Sequence, residues 1–146
     1  MIKYIENDGG RAAAGYRGRA RDCVARAIAI LTGDEYEVVY GIVALINREN
    51  GGKRSARNAV SKTVTRQSLM EFDLIKVPLG AGVKSTFTEA YEQYGNCIVT
   101  TNRHVCAIVD GALQDTQDIR TYLMDGSERV RKARSVWIKD PEIYGD

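Results

Sequence analysis

Three residues of this chain, Cys23, His104 and Asp115, are of the types that together perform acyl transfer. Cys23 stands in "RARDCVARAIAILTG", at the start of an apolar-periodic stretch. A cysteine in the first turn of a helix meets unpaired backbone N–H groups and the positive end of the helix dipole, and both favour thiolate. Its own N–H points out of that turn, where it can serve as one oxyanion donor. His104 is the single histidine, in "NRHVCAIVDGALQDTQD". There Asp110-Gly111 is the two-residue signal of a type I′ hairpin, whose central residues both need positive φ. Such a turn pairs Val109 with Ala112, Ile108 with Leu113, Ala107 with Gln114, Cys106 with Asp115 and His104 with Gln117. Alternation then puts His104, Cys106, Ile108, Leu113, Asp115 and Gln117 on one face. His104 and Asp115 become diagonal neighbours, roughly 7–8 Å apart at Cα. A carboxylate so placed orients the ring and stabilises the imidazolium. Gln117, directly opposite, is a second candidate orienter. Thiol, imidazole and carboxylate together meet the needs of a Cys–His nucleophile pair.

The elements that must hold these residues are legible in outline. Residues 22 to 31 place Val24, Ala27, Ile28 and Leu31 at helical spacing, with Asp22 as N-cap and Gly33 as the stop. "DEYEVVYGIVALINRENGG" predicts a second helix, started by Asp34 and followed by Gly51-Gly52. A third helix is expected from Thr63 to Glu71, with an extended piece over 74–77. "STFTEAYEQYG" predicts a short helix capped by Ser85 or Thr86. From Asn96 onward β-branched residues and period-two stretches predict strands, the last within "RSVWIKD", and a short strand is expected at residues 1–5. Helices first and an antiparallel sheet second predict an α+β fold in a single domain over 1–146.

Composition bounds the function. Hydrophobic residues make up 44% and charged residues 27%, enough for a real core. Three cysteines, Cys23, Cys97 and Cys106, are too few and too scattered for a disulfide scaffold and fit a reduced compartment. One histidine and no CxxC argue against a metal site, and no cofactor is expected. The N-terminus lacks a signal-peptide core and no apolar run could span a bilayer, so a soluble, cytoplasmic protein without a membrane partner is expected. The net charge of +2 is uninformative, but basic residues cluster at 11–26, at 129–134 and at 48–66, where Lys53, Arg54, Arg57, Lys62 and Arg66 form a basic surface.

The order of these parts resembles papain-like cysteine enzymes. More closely, over residues 16 to 118, it resembles small phage and bacterial proteins of that fold with a "DCVxRA" helix and an "HVxAxxDGxxxDT" hairpin. The resemblance implies a papain-like architecture, with Cys23 as nucleophile, His104 as general base and acid, and Asp115 as orienter. Papain-like enzymes usually carry an amide side chain shortly before the cysteine as second oxyanion donor, where this chain reads "AAGYRGRAR". Tyr16, Arg17 or Arg19, or Asn102 beside the histidine, are candidate substitutes.

Two function classes follow. One is a thiol-protease-like hydrolase or acyltransferase acting on an amide, isopeptide or thioester of a peptide or protein. The other is a phage-encoded binding or inhibitory protein that keeps the fold without the chemistry. It would work in the bacterial host cell, using its basic segments on nucleic acid or an acidic host protein. An assembly component is a third class, supported only by the phage-like resemblance.

Overall fold

A computed structural model describes residues 2–79, 86–120, 124–126 and 133–145. The strands are β1 (Lys3–Glu6), β2 (Leu74–Val77), β3 (Cys97–Thr100), β4 (Val105–Val109), β5 (Ala112–Asp115) and β6 (Ser135–Lys139). The helices are α1 (Cys23–Thr32), α2 (Tyr36–Glu49), α3 (Lys62–Glu71), α4 (Phe87–Tyr94) and α5 (Pro141–Tyr144). The strands form one sheet in the order β1-β5-β4-β3-β6-β2. Mixed α and β structure agrees with the α+β expectation, but the sheet is not wholly antiparallel, because β1 pairs parallel with β5. The leader returns to the sheet edge beside β5, a long-range pairing that no local pattern signals.

Alternation along the central strands splits the core in two. Ile98, Val105, Ala107 and Trp137 face α1, α2 and α3. Cys97, Val99, Cys106, Ile108, Leu113 and Val136 face the side covered by α4. Trp137, Cys97 and Cys106 are thus core residues. Thr86 caps α4 by accepting the Glu89 N–H, while Ser85 and most of the 129–134 run lie outside the described residues. Among the described residues no helix is long and apolar enough to cross a membrane.

Helix α1 departs from the expected single apolar stripe. Val24, Ala25, Arg26, Ala27, Ile28, Ala29 and Leu31 are all buried, so the helix is covered nearly all round. Ile28 is fully buried, and a side chain of that size contributes about 1.5–3 kcal/mol when removed from water. The sheet covers one side and the glycine-rich leader helps cover the other. Gly9 has φ +72°, and a Cβ there would come 3.1 Å from the Arg26 carbonyl oxygen, so only glycine lets the leader lie this close. Gly33, at φ +77°, closes the helix as expected.

Three helix starts differ from expectation. The Asp22 side chain makes no capping bond, because its carboxylate is taken up by buried cations. Helix α2 begins at Tyr36 after Glu35, with Asp34 outside it. The Asp34 N–H is instead bonded to the Thr32 hydroxyl, extending the turn by one residue. Helix α3 starts one residue early, at Lys62, because the Ser61 hydroxyl accepts the Val64 N–H.

Candidate active site

Cys23 is the first residue of α1, half-buried, and packs against the core between α1 and the sheet. As the first helical residue its N–H has no intrahelical acceptor. The hairpin that presents His104 and Asp115 forms as its turn chemistry requires. Asp110 has φ 53° and Gly111 φ 78°, and Val109 pairs with Ala112, Ile108 with Leu113 and Ala107 with Gln114. The ladder between β4 and β5 then stops. Val105 and Cys106 continue only with β3, while Asp115 continues only with β1.

This divergence corrects the expected register. His104 does not pair with Gln117, which is exposed beyond the end of β5. His104 and Asp115 do not stand in mid-face with Cys106 and Ile108, whose side chains point toward α4. They meet instead where the two strands part, at the end of α1. There His104 Nε2 lies 2.6 Å from Asp115 Oδ2. The Cys23 thiol and the same ring lie close enough to shift each other, the thiol down and the imidazole up. With Nε2 on the carboxylate, Nδ1 is the ring atom left for the sulfur. Asp115 is itself fixed: β1 pairs with it, and its backbone oxygen accepts the Asn7 N–H at 2.9 Å and the Tyr4 hydroxyl at 3.1 Å.

The electrostatics favour an ion pair. Burial pushes the Cys23 thiol up. The His104 hydrogen bond and charge, the Val105 N–H and the Arg26 charge outweigh it, and the thiol ends below its ordinary value. Burial pushes His104 down, but the hydrogen bonds and charges of Asp115 and Cys23 raise it to about 9. Asp115 is also raised by burial, yet His104, the Thr116 N–H and Arg26 hold it below the usual carboxylate range. Each shift favours the charged form of its group: thiolate at Cys23, imidazolium at His104 and carboxylate at Asp115. By contrast, burial alone pushes Cys97 up to about 12.

Behind the site lies a polar network that sequence reasoning missed. Asp22 is 1% exposed and Arg26 7%. Arg26 Nη1 pairs with Asp22 Oδ1, and Arg26 Nη2 reaches Asp115 Oδ1 at 3.3 Å. The Tyr36 hydroxyl donates to Asp22 Oδ2, and Arg11 Nη1 approaches the same oxygen at 3.7 Å. Asp115 thus gives Oδ1 to Arg26 and to the Thr116 N–H at 2.7 Å, and keeps Oδ2 for His104. One guanidinium ties the helix that begins at Cys23 to the strand that ends at Asp115. Nothing in the local sequence sets Tyr36 apart from other helix residues, and Arg26 falls within the basic cluster at 11–26.

A cleft of about 460 Å³ opens beside this network, lined among others by Arg19, Arg21, Asp22, Arg26, Asn58 and Thr116. Asn58, from the loop before α3, brings a carboxamide to this cleft from a part of the chain far from Cys23. Of the expected amide substitutes, Arg19 lines the cleft. Asn102 is exposed and accepts from Arg134 Nη2 at 3.3 Å. Tyr16 packs edge-on to Tyr36 and tilted against Tyr40. Lys53, Arg54, Arg57, Lys62 and Arg66 are exposed, and the Arg57 guanidinium donates to the Arg19 carbonyl at 3.0 Å. Comparison with protein-family models, with curated proteins and with solved structures finds no match for this chain.

Proposed function

We propose that the protein is a cysteine hydrolase or acyltransferase of papain-like architecture, acting on an amide, isopeptide or thioester. The observation that carries the reading is the His104 ring, bonded to Asp115 at 2.6 Å and placed where it lowers the Cys23 thiol. In the reaction, thiolate Sγ attacks the acyl carbon and the carbonyl π pair moves onto oxygen. The oxyanion is met by the Cys23 N–H at the helix start. Collapse breaks the bond to the leaving amine, which takes the proton from His104. The neutral imidazole then deprotonates water, or a second acceptor, as it attacks the thioester, and thiolate leaves. Asp115 accepts from Nε2–H throughout and keeps Nδ1 directed at the sulfur.

The test uses p-nitrophenyl acetate as a generic acyl donor. The expected result is release of nitrophenolate with one acetyl group carried on Cys23, located by peptide mass spectrometry, and loss of both in Cys23→Ala. Equal nitrophenolate release by Cys23→Ala, or acetyl spread evenly over the three cysteines, would overturn the reading.

A further inference from the structure

The charges around the cleft do not cancel. Two buried guanidiniums, Arg11 and Arg26, stand against two buried carboxylates, Asp22 and Asp115. Arg11 is further occupied by the Arg17 and Gly18 carbonyls, at 2.9 and 3.1 Å. These four groups form a closed set. Arg19 and Arg21 line the same cleft, are exposed, and have no carboxylate partner among the described residues. The Arg57 guanidinium, held against the Arg19 carbonyl, adds a third cation at the rim. Asp22 is the single carboxylate in the lining, and it is already neutralised.

The cleft's place matters as much as its charge. Asp22 and Thr116 line it, and they are the chain neighbours of Cys23 and Asp115. The backbone of residues 18–21 is anchored at two points, by the Arg11 bond to Gly18 and by the Arg21 N–H on the Arg57 carbonyl at 2.7 Å. Two guanidiniums on an anchored segment can hold a carboxylate in bidentate fashion. A volume of about 460 Å³ suits one or two residues of an extended substrate, and is too small to be a track for a polynucleotide.

We infer that this cleft receives a carboxylate carried on the substrate next to the reacting carbonyl, so that Cys23 acts on acidic acyl groups, with Arg19 and Arg21 as the specificity-determining residues. The inference rests on Cys23 being the nucleophile. It also gives the arginines before Cys23 a role: they read the substrate, in the place where an amide donor was expected.

Iodoacetate and iodoacetamide differ only in charge, and their rates at Cys23 separate the two questions. The iodoacetamide rate reads the thiolate; the iodoacetate-to-iodoacetamide ratio reads the cleft. In the wild type at low salt the ratio should exceed that of free cysteine by on the order of tenfold, and should fall as salt rises. In Arg19→Gln/Arg21→Gln it should return toward the free-cysteine ratio. A peptidyl vinyl sulfone with Glu next to the electrophile should likewise outpace its Gln counterpart in the wild type alone. A wild-type ratio equal to that of free cysteine, or one unchanged in the double variant, overturns the inference. If iodoacetamide labels Cys23 at the same rate with and without His104, it is the proposed function that fails.

Discussion

Replacing His104 by alanine is expected to slow alkylation of Cys23 by iodoacetamide at pH 6.5 by about one order of magnitude, as the thiolate fraction falls roughly tenfold per unit of thiol pKa restored. The cause is the balance at the sulfur. Burial pushes the thiol up, and the hydrogen bond and charge of His104 are the first contributions that pull it down. Without the ring, the desolvation cost stands against only the Val105 N–H and the Arg26 charge. The rate–pH curve should move to higher pH, and the gap between the proteins should close in strong alkali. The intrinsic nucleophilicity of a more basic thiolate offsets part of the loss, which is why the expected effect is smaller than the change in thiolate fraction. Asp115→Asn should act in the same direction with a smaller effect, since it weakens the charge holding the imidazolium. Equal rates at pH 6.5 in wild type and His104→Ala would mean that Cys23 reacts through exposure alone.

Replacing Arg26 by methionine is expected to destabilise the fold by about 3–5 kcal/mol, read from the midpoint of urea unfolding. Arg26 stands between two buried carboxylates, Asp22 with a fully buried side chain and Asp115 4% exposed at its side chain. Methionine fills similar space but leaves both carboxylates without their shared cation. Tyr36 and Arg11 still reach Asp22, and His104 and the Thr116 N–H still reach Asp115, but the cation that joins the two carboxylates is gone. Arg26→Lys should recover part of the loss, because a point charge cannot bridge two carboxylates as a planar fork does. The Arg26 Nε is buried without a partner, so the fork uses only its two terminal nitrogens. Loss of less than about 1 kcal/mol in Arg26→Met would show that the network contributes no more than a surface pair.

What could be read from the sequence was local. Asp110-Gly111 specified its hairpin because the conformation it needs is set by two adjacent residues, both with positive φ. The Thr86 cap and the Gly33 stop were legible for the same reason. Cys23, His104 and Asp115 could be named because one helix start and one hairpin hold all three.

The unread parts depend on distant segments. Asp22 before a helix has the same local pattern whether it caps or is buried in an ion pair. The difference is made by Tyr36 and Arg11, brought in from α2 and the leader. Arg26 looked like surface charge because nothing nearby indicates that the leader covers its side of α1. Beyond the point where β4 and β5 part, Asp115 is held by β1, which comes in from the far end of the chain. Asn58 reaches the cleft from the loop before α3, and no signal near Cys23 could have pointed to it.

The thiolate–imidazolium pair is tested most directly by an NMR titration of the ring of His104, the chain's single histidine, whose resonances need no assignment. The sign is definite. A histidine with its folded value raised from 6.5 to about 9 adds stability that is fully present below its unfolded value and is lost as pH rises through about 9. The wild-type ring should therefore titrate near 9, and in Cys23→Ser the midpoint should fall, because the thiolate's hydrogen bond and charge are gone. A wild-type midpoint at or below the ordinary histidine value, unmoved by Cys23→Ser, would contradict the ion pair and with it the assignment of Cys23 as an activated nucleophile.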